Sequence, residues 1–449
     1  METATAAQAP PSYQEVNVEL LQALQSPGRQ YWAALAFCVA LILWGAWSWN
    51  YQLVHGMYVY GATHPAMWGT YIVNFVFWVG IAHSGTLISA ILFLFRAQFR
   101  RAIYRMAEAM TVFAVMTAGL FPIIHVGRSW NIYFAVPYPN QRELWVNFRS
   151  PLVWDVFAVS TYFTVSSIFL YTGLIPDIAA ARDRETRPVR KFVYTILSLG
   201  WRGTQSEWKH FNAAYLYLAA FATPLVISVH SVVSWDFAMS VNPGWHSTIF
   251  APYFVAGAIF SGVGLVLTIA VPMRKILHLE RWITLDHFDK MAKLCLFTSL
   301  IVGYSYLVEF FLAWYHGDPF ERHVFLNRAF GPMGPEAWIM ITCNAIIPLV
   351  LFWKKIRRSP WTLFVISLFI NLGMWMERFV IVVQSLTHPF DPSVNTATYH
   401  PGIIETGIFV GSFGWFFAWF LLFARFLPIM AVAEIKEVMP LRRGAGGGA

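Results

Sequence analysis

Ten long apolar segments run through this chain and limit what it can fold into. A bilayer core about 30 Å thick is crossed by roughly 20 apolar residues in a helix, whereas the strands of a membrane barrel are short and alternate in polarity. The sequence therefore predicts an all-α polytopic membrane protein with about ten transmembrane helices. The segments cover residues 31–52, 67–95, 106–126, 151–175, 211–235, 248–272, 291–315, 336–353, 361–386 and 404–430.

The composition excludes an ordinary soluble domain. Hydrophobic residues make up 57% of the 449 residues and charged residues only 12%, against about 25% charged residues in soluble domains. Residues 1–30 lack the basic start and short apolar core of a signal peptide, so the first apolar segment is expected to stay in the membrane.

Lysine and arginine are distributed unevenly between the loops on the two sides. The loops after the second, fourth, sixth and eighth segments contain twenty of them, whereas the loops on the other side contain five. Cytoplasmic loops are enriched in these residues, so both termini are expected in the cytoplasm. This topology explains the net charge of +8 without a nucleic-acid partner.

The spacing of cysteine and histidine argues against a bound metal or haem. Cys38, Cys295 and Cys343 lie on different apolar segments, so they cannot form a local iron–sulfur or c-type haem motif. Haem-binding bundles use pairs of histidines about four turns apart on one helix, and the spacing from His230 to His246 is interrupted by proline and glycine. No metal, haem or iron–sulfur cluster is predicted in this chain.

A weak internal repeat divides the chain into two halves. VGIAHSG at 79–85 matches AGAIFSG at 256–262, and PLVWD at 151–155 matches PEAWI at 335–339. Matched segments run in the same direction, which predicts two parallel four-helix bundles, segments 2–5 and 6–9, plus two flanking helices. The second motif of each pair lacks the histidine or aspartate of the first, so the chemistry is expected in the first bundle.

The predicted organisation has five parts, and one loop is predicted to be amphipathic. Basic residues flank a short apolar run at 187–210, which predicts an amphipathic segment on the cytoplasmic membrane surface. The parts are a cytoplasmic N-terminal segment at 1–30, the first helix and its loop at 31–66, the first bundle at 67–240, the second bundle at 241–386, and the last helix with a cytoplasmic tail at 387–449.

Three titratable residues are predicted at similar depth on the extracytoplasmic side of the first bundle. His125 ends the third segment, Asp155 lies near the start of the fourth, and Asp236 closes the fifth. Ionisable groups in membrane spans usually face a partner or a polar cavity. A quinol releases two protons on oxidation, and an imidazole and a carboxylate can accept them. The alternatives are structural: a helix cap at Asp155, interfacial water at Asp236, and a bond from His125 to a carbonyl.

Six more polar residues within the apolar segments are candidates for a proton path. Glu309 and Arg378 lie in the outer half of the second bundle, where a structural ion pair between them is the simpler expectation. His83 and Ser84 could instead belong to a packed contact between helices. The candidates are His83, Ser84, His230, Glu309, Glu377 and Arg378.

Several long motifs resemble the NrfD/polysulfide reductase C family. They include the stretch at 74–96 with IAHSG, GLFPIIHVGRSWNIYFAVPYPN at 119–140, NFRSPLVWDVFAVSTY at 147–162, the stretch at 222–262, and NLGMWMERF at 371–379. The resemblance covers nearly the whole chain after about residue 30. Within the family, the chain resembles the quinol-binding membrane subunits (ActC) of bacterial alternative complex III.

The resemblance implies a quinol-oxidising subunit in a bacterial inner membrane, with menaquinone or ubiquinone as its substrate. Electrons would pass to an adjoining iron–sulfur subunit and then to multihaem cytochrome c subunits, beside a paralogous membrane subunit. The quinol-site residues of the family match His125, Asp155 and Asp236, and Arg128 of HVGRSW is placed with them. The family often has HLGRPW and a Tyr–Trp pair where this chain has HVGRSW and Tyr–Phe at 133–134, so the pocket shape is left open.

Two other functions are left open by the sequence. A proton-translocating or structural membrane subunit without quinol chemistry of its own would also use the buried ionisable residues. A secondary transporter is less favoured, because no pair of helices broken by glycine or proline occupies matching positions in the two halves. Co-purified quinone and a signal sensitive to quinol analogues would favour the quinol-oxidising role.

Overall fold

Ten helices long enough to cross a bilayer form this computed structural model, which describes residues 12–21, 24, 28–62, 66–136, 147–387 and 399–437. No strand occurs in these ranges, and the predicted all-α membrane fold is confirmed. The helices α1 to α10 span Arg29–His55, Thr70–Leu94, Tyr104–His125, Pro151–Arg184, Gln205–Ala238, Phe250–Ile276, Leu285–Tyr315, Gly334–Phe352, Pro360–Thr387 and Ile403–Phe426.

Predicted and observed helix ends differ most at the polar ends of α4, α5 and α7, the last of which begins at Leu285 rather than 291. The helix α4 continues to Arg184, well past the predicted end at 175. The helix α5 begins at Gln205 rather than 211, because Thr204 and Glu207 form a capping box that starts it early. A span predicted by counting apolar residues ends at the first charged residues, whereas the helix itself continues beyond the membrane into water.

The predicted surface segment at 187–210 is therefore wrong in its extent. Only Pro188–Leu197 forms a separate amphipathic helix, and residues from Gln205 onward belong to α5. A second short helix, Pro319–Phe330, was not predicted. Its sequence is too polar for a span, and Asp318 caps its start by accepting a hydrogen bond from the amide of Phe320 at 3.0 Å.

The two ends of the helix bundle differ in charge. Arg100 pairs with Glu434 at 2.9 Å, and Arg281 pairs with Glu19 at 3.2 Å. The N-terminal helix around Glu19 and the C-terminal helix Val432–Glu437 therefore lie at the same end as the loops after α2 and α6. We call this end, with its loops rich in lysine and arginine, the basic face, and the other end the opposite face.

The helices α2 and α6 lie at the centre of the structure and are buried along most of their length. The helix α2 packs against α3 and α5, and α4 packs against α3 and α5, which makes a first bundle of α2–α5. The helix α6 packs against α7 and α9, and α8 contacts both of these, which makes a second bundle of α6–α9. The helices α1 and α10 pack along each other, and α10 rests against α3.

Small residues bring α2 and α6 close together where the two bundles meet. A Cβ atom on Gly262 would collide with the Ser84 hydroxyl, and one on Gly80 would lie 3.7 Å from the Ser261 hydroxyl. The two serines occupy matching positions of the internal repeat, and each faces a glycine of the other helix. Close approach through glycine and serine is typical of membrane helices.

Three helices contain a π-helical turn beside buried polar residues. These turns are Leu87–Ile91 in α2, Thr342–Ile346 in α8 and Val380–Gln384 in α9. The first follows His83 and the third follows Arg378. A π-helical turn changes the direction in which later side chains point, and such turns are frequent at functional sites.

Candidate functional site

Asp155 and Asp236 lie together at the opposite face of the first bundle. Asp155 is near the start of α4 and Asp236 near the end of α5. Their carboxyl groups lie close enough to interact with each other. The preceding residues, Trp154 and Trp235, pack edge to face with ring centroids 6.1 Å apart. Antiparallel neighbouring helices thus bring together two carboxyl groups that are distant in sequence.

Asp155 is buried and Asp236 is half-buried, and three of their four carboxylate oxygens lack a donor from the described part of the chain. Asp155 is 6% exposed, and neither of its carboxylate oxygens, nor Oδ1 of Asp236, has a hydrogen-bond partner there. Two negative charges at close range in apolar surroundings repel strongly. The pair can therefore accept a proton, or a hydrogen bond from the hydroxyl of a ligand.

The structural alternative for Asp155, a helix cap, is wrong. The residue at the N-cap of α4 is Ser150, and Pro151 occupies the first helical position, where its missing N–H costs nothing. Asp155 lies beyond the cap, inside the helix. Its burial is therefore not explained by satisfaction of the helix end.

His125 is the last residue of α3 and contacts a different group of residues. Its ring lies edge to face with Tyr60, with centroids 6.2 Å apart, and Tyr60 stacks on Tyr71 at 4.6 Å. Nδ1 of His125 is buried and has no hydrogen-bond partner in the described ranges. Gln52 holds the end of α3 in place by donating to the carbonyl of Ile124 at 3.0 Å.

Tyr60 can act as a stable neutral neighbour of His125. Burial raises the pKa of the Tyr60 phenol above its ordinary value, and the nearby Glu405 raises it further. Its hydroxyl accepts a hydrogen bond from the amide of Gly69 at 2.6 Å. The structure thus brings Asp155 and Asp236 together. It places His125 beside the stacked rings of Tyr60 and Tyr71, with no hydrogen bond or ion pair from His125 to either aspartate among the residues described.

Arg128 and the predicted hairpin between α3 and α4 are described only in part. Arg128 is exposed at the start of the short 3-10 helix Ser129–Ala135. The hairpin from His125 to Asp155 includes residues 137–146, which lie outside the described residues. The placement of Arg128 in the quinol site therefore stays a prediction.

His83 and His230 form a buried pair in the centre of the first bundle. Their ring centroids are 4.4 Å apart, and that of Tyr162 is 5.1 Å from His83. Nδ1 of His83 lies 2.7 Å from the carbonyl of Val79, whereas its Nε2 has no partner among the described residues. Two adjacent imidazoles can pass a proton, and they lie deeper than Asp236. Ser84 bonds to a carbonyl of its own helix and packs on α6.

A second cluster of polar residues lies in the second bundle, around Glu377. Arg378 lies 2.8 Å from Glu377, and its guanidinium covers the ring of Phe254 at 4.4 Å. The hydroxyl of Tyr306 donates to Glu377 and accepts from Asn344, the latter at 2.9 Å. The first-bundle histidines are adjacent to this cluster, since His230 and Phe254 have ring centroids 5.8 Å apart.

The predicted ion pair between Glu309 and Arg378 is wrong. Arg378 pairs with its sequence neighbour Glu377 instead, and Oε1 of Glu309 is buried with no partner in the described ranges. Similar depth in the membrane does not fix which way two side chains point. Glu309 instead lines a cavity of about 510 Å³ at the opposite face, together with Trp235 and His246.

Tyr306 and Asn344 are functional candidates that the sequence did not indicate. Both are fully surrounded by other helices, and both connect to Glu377 through hydrogen bonds. A tyrosine and an asparagine within apolar segments give no charge signal. The π-helical turn that contains Asn344 is also invisible in the hydropathy pattern.

The described residues offer no obvious metal ligands. No group of three or more His, Cys, Asp and Glu side chains there is placed to hold an ion. Cys38, Cys295 and Cys343 are buried, separate free thiols. What the site offers is a set of proton acceptors and donors within a helical membrane bundle.

Fold and site define a multi-pass integral membrane protein with buried proton-accepting groups near one face. The family model of the polysulphide reductase NrfD family matches residues 59–389, which is most of the chain. The chain belongs to this family.

Three curated relatives agree with the family assignment. A putative membrane subunit of a dimethyl sulfoxide reductase from Halobacterium salinarum is 30% identical over 56% of this chain and 53% of that protein, so the match spans about half of that relative's length. A selenate reductase subunit from Mesobacillus selenatarsenatis is 22% identical over 89% and 94%. The Hdr-like menaquinol oxidoreductase integral membrane subunit of Archaeoglobus fulgidus is 20% identical over 91% and 96%. The chain is thus similar to membrane subunits of oxidoreductases.

Proposed function

We propose that this chain is the quinol-oxidising membrane subunit of an assembly like alternative complex III. The observation that supports this best is the close pair of Asp155 and Asp236, in which both oxygens of Asp155 and Oδ1 of Asp236 are buried and lack a donor in the described part of the chain. A hydroxyl of a quinol is a donor of the right kind. The relative from Archaeoglobus fulgidus, whose name refers to menaquinol, supports the same substrate class.

The proposed reaction converts one quinol into one quinone with release of two protons and two electrons. The carboxyl pair accepts a proton from one hydroxyl, and His125 accepts a proton from the other. The two electrons pass to an iron–sulfur cluster of a neighbouring subunit. Proton acceptors placed within reach of a reacting hydroxyl raise reaction rates by about 10²–10⁴-fold.

The proposed setting is a bacterial inner membrane with both termini in the cytoplasm. The basic face then lies in the cytoplasm by the positive-inside rule, and protons leave the quinol on the periplasmic side. Proposed partners are an iron–sulfur subunit, multihaem cytochrome c subunits and a paralogous membrane subunit. Either menaquinone or ubiquinone fits the proposed chemistry.

The test is quinol-dependent reduction of partner haem in the assembled complex carrying Asp155→Asn or Asp236→Asn. We expect the rate to fall about 10²–10⁴-fold, because an amide cannot accept the proton. The matched control is Asp318→Asn, which removes an exposed carboxylate at the same face and keeps a helix-capping side chain. Wild-type rates in both aspartate variants, with assembly intact, would rule out the proposal.

A second candidate function is proton translocation without quinol chemistry in this chain. The cluster of Glu377, Arg378 and Tyr306 in the second bundle favours it, together with the unpartnered Glu309 beside a cavity. Reconstituted complex with Glu309→Gln would then lose proton movement across the vesicle membrane while quinol oxidation continues. Vesicles that release only the protons of the quinol itself would exclude this function.

A further inference from the structure

A cavity of about 800 Å³ opens at the basic face of the first bundle. The ends of α2 and α4 and the starts of α3 and α5 form its walls, and the C-terminal helix Val432–Glu437 closes one side. Asp177 in its wall lies roughly 33 Å from Asp155 along α4, at 1.5 Å per residue. The cavity is therefore separate from the carboxyl pair, and its volume is typical of sites for small molecules.

Basic side chains outnumber acidic ones in the wall of this cavity. Four of the arginines form ion pairs with the four carboxylates, at distances of 2.9, 3.6, 3.0 and 2.9 Å. Arg202 and Lys436 form no ion pair with any described residue, so the wall keeps a positive charge. The pairs are Arg100–Glu434, Arg101–Glu437, Arg105–Asp177 and Arg182–Asp183.

Arg100 adds a buried donor that the described residues do not satisfy. Its side chain is 4% exposed, and Nη2 is bound to Glu434 at 2.9 Å. Nη1 is buried and has no hydrogen-bond partner within the described ranges. The guanidinium is held between Phe93 and Tyr104, with its carbon 4.6 and 4.7 Å from the ring centroids. A fixed, unsatisfied guanidinium nitrogen is suited to an oxyanion.

An aromatic wall stands beside these cations. Trp201, Trp208 and Phe211 pack edge to face with ring centroids 5.0, 5.8 and 5.6 Å apart, and all three line the cavity. Tryptophan is enriched where the bilayer meets water. Charged and apolar surfaces therefore meet at the depth of a lipid headgroup.

We propose that this cavity binds a phosphate group, held by the side chains of Arg202 and Lys436 beside the buried guanidinium of Arg100. An anionic glycerophospholipid and free inorganic phosphate both present this chemistry. The aromatic wall favours the lipid, because it gives the glycerol and the first acyl carbons an apolar surface. Basic pockets between membrane helices on the cytoplasmic side are known to hold anionic headgroups.

The test compares two double variants of the full chain within its assembled complex. Arg202→Gln/Lys436→Gln removes the two cations without an ion pair and leaves the buried Arg100–Glu434 pair in place. The control, Lys354→Gln/Lys355→Gln, removes two exposed charges near the same face but outside the cavity. Each complex is placed in nanodiscs of phosphatidylcholine with phosphatidylglycerol, and retained phospholipid is counted by native mass spectrometry. A second measurement follows thermal stability against inorganic phosphate.

The affinity of the cavity for phosphatidylglycerol is expected to fall on the order of 30-fold in the cavity variant and to stay unchanged in the control. Loss of retained phosphatidylglycerol in the cavity variant alone supports a lipid ligand. Loss of stabilisation by inorganic phosphate in that variant alone, without a change in lipid, supports free phosphate. Equal lipid retention and equal phosphate response in both variants and the wild type would overturn the proposal.

Discussion

The two bundles both bury titratable side chains, but they satisfy them in different ways. In the first bundle, Asp155 and Asp236 lie close together, and three of their four carboxylate oxygens have no donor from the described residues. In the second, Glu377 has Arg378 at 2.8 Å and accepts a hydrogen bond from Tyr306. An unsatisfied buried polar group costs roughly 1–3 kcal/mol. Both sites leave such atoms, since Oε1 of Glu377 and both terminal nitrogens of Arg378 also have no hydrogen-bond partner in the described ranges. The second site, however, pairs opposite charges, whereas the first brings two like-charged groups together, and these need a proton or a donor from a ligand.

Glu309 is a carboxylate of the second bundle that forms no ion pair with any described residue. Its Oε1 has no partner in the described ranges, and it lines the cavity of about 510 Å³ that also reaches Trp235 of α5. Trp235 precedes Asp236, so this cavity borders both bundles. The two regions are thus neighbours at the opposite face, and experiments must separate the carboxyl pair from Glu309.

The largest expected effect distinguishes a carboxyl pair from two independent aspartates. Asp155→Asn, Asp236→Asn and the double variant should each lower quinol-dependent haem reduction by about 10²–10⁴-fold. Because the pair acts as one proton acceptor, the double variant should lose little more than either single variant. Steady-state and single-turnover rates of the assembled complex measure this. A double variant whose loss equals the product of the single losses would show that the residues act separately.

The second expected effect tests whether the second cluster is an internal ion pair. Arg378→Met leaves Glu377 buried without its cation and should lower the stability of the complex by about 3–5 kcal/mol. Glu377→Gln/Arg378→Met removes both charges and keeps an acceptor for Tyr306, so it should lose much less. Unfolding in mixed detergent measures both. Equal losses in the single and double variants would contradict an ion pair.

A smaller effect tests the contact that joins the two bundles. Gly262→Ala places a Cβ atom against the Ser84 hydroxyl and 2.7 Å from the carbonyl of Ile81, and overpacking of this kind costs about 1–3 kcal/mol. Gly119→Ala is the control, because nothing lies within 4 Å of its added methyl group. Thermal unfolding should show a loss for the first variant only. A loss of equal size in the control would contradict the overpacking explanation, because alanine favours a helix more than glycine does.

The smallest expected effect concerns Glu321 in the short helix Pro319–Phe330, between α7 and α8. Burial raises the pKa of Glu321, although hydrogen bonds from the Gly244 amide at 3.0 Å oppose this. The folded state then keeps a proton that the unfolded state loses, so stability falls as pH rises from the ordinary glutamate value to the raised one. Glu321→Gln should flatten this dependence, by less than about 1 kcal/mol because the group is half-exposed. Unfolding free energies at several pH values measure it, and an unchanged slope would contradict this explanation.

The helices were predictable because each apolar segment has the length that a bilayer demands. Predicted spans agree closely with the observed ones where polar loops flank them, and they fall short at α4 and α5, where a capped helix continues into charged sequence. The closeness of Asp155 and Asp236 follows from the same reasoning. The end of one helix and the start of its antiparallel neighbour meet at one face.

The direction of each side chain around its helix could not be predicted from depth alone. Glu309 and Arg378 lie in spans of the same bundle, yet Arg378 turns toward Glu377 and Phe254. Successive residues of a helix point about 100° apart, and a π-helical turn shifts this angle without a sequence signal. The contact of His125 with Tyr60 depends on an irregular loop, and the sequence of a loop has no hydrophobic periodicity from which its path could be predicted.

Photolabelling with an azido-quinone tests the central claim most directly, because it reports where the quinone ring lies. The assembled wild-type complex would be labelled, digested and mapped by mass spectrometry, with Asp155→Asn/Asp236→Asn and Glu309→Gln complexes in parallel. We predict labels on peptides around Asp155 and Asp236, lost in the first variant and kept in the second. Labels confined to α7 around Glu309, unaffected by loss of the two aspartates, would contradict the proposed quinol site.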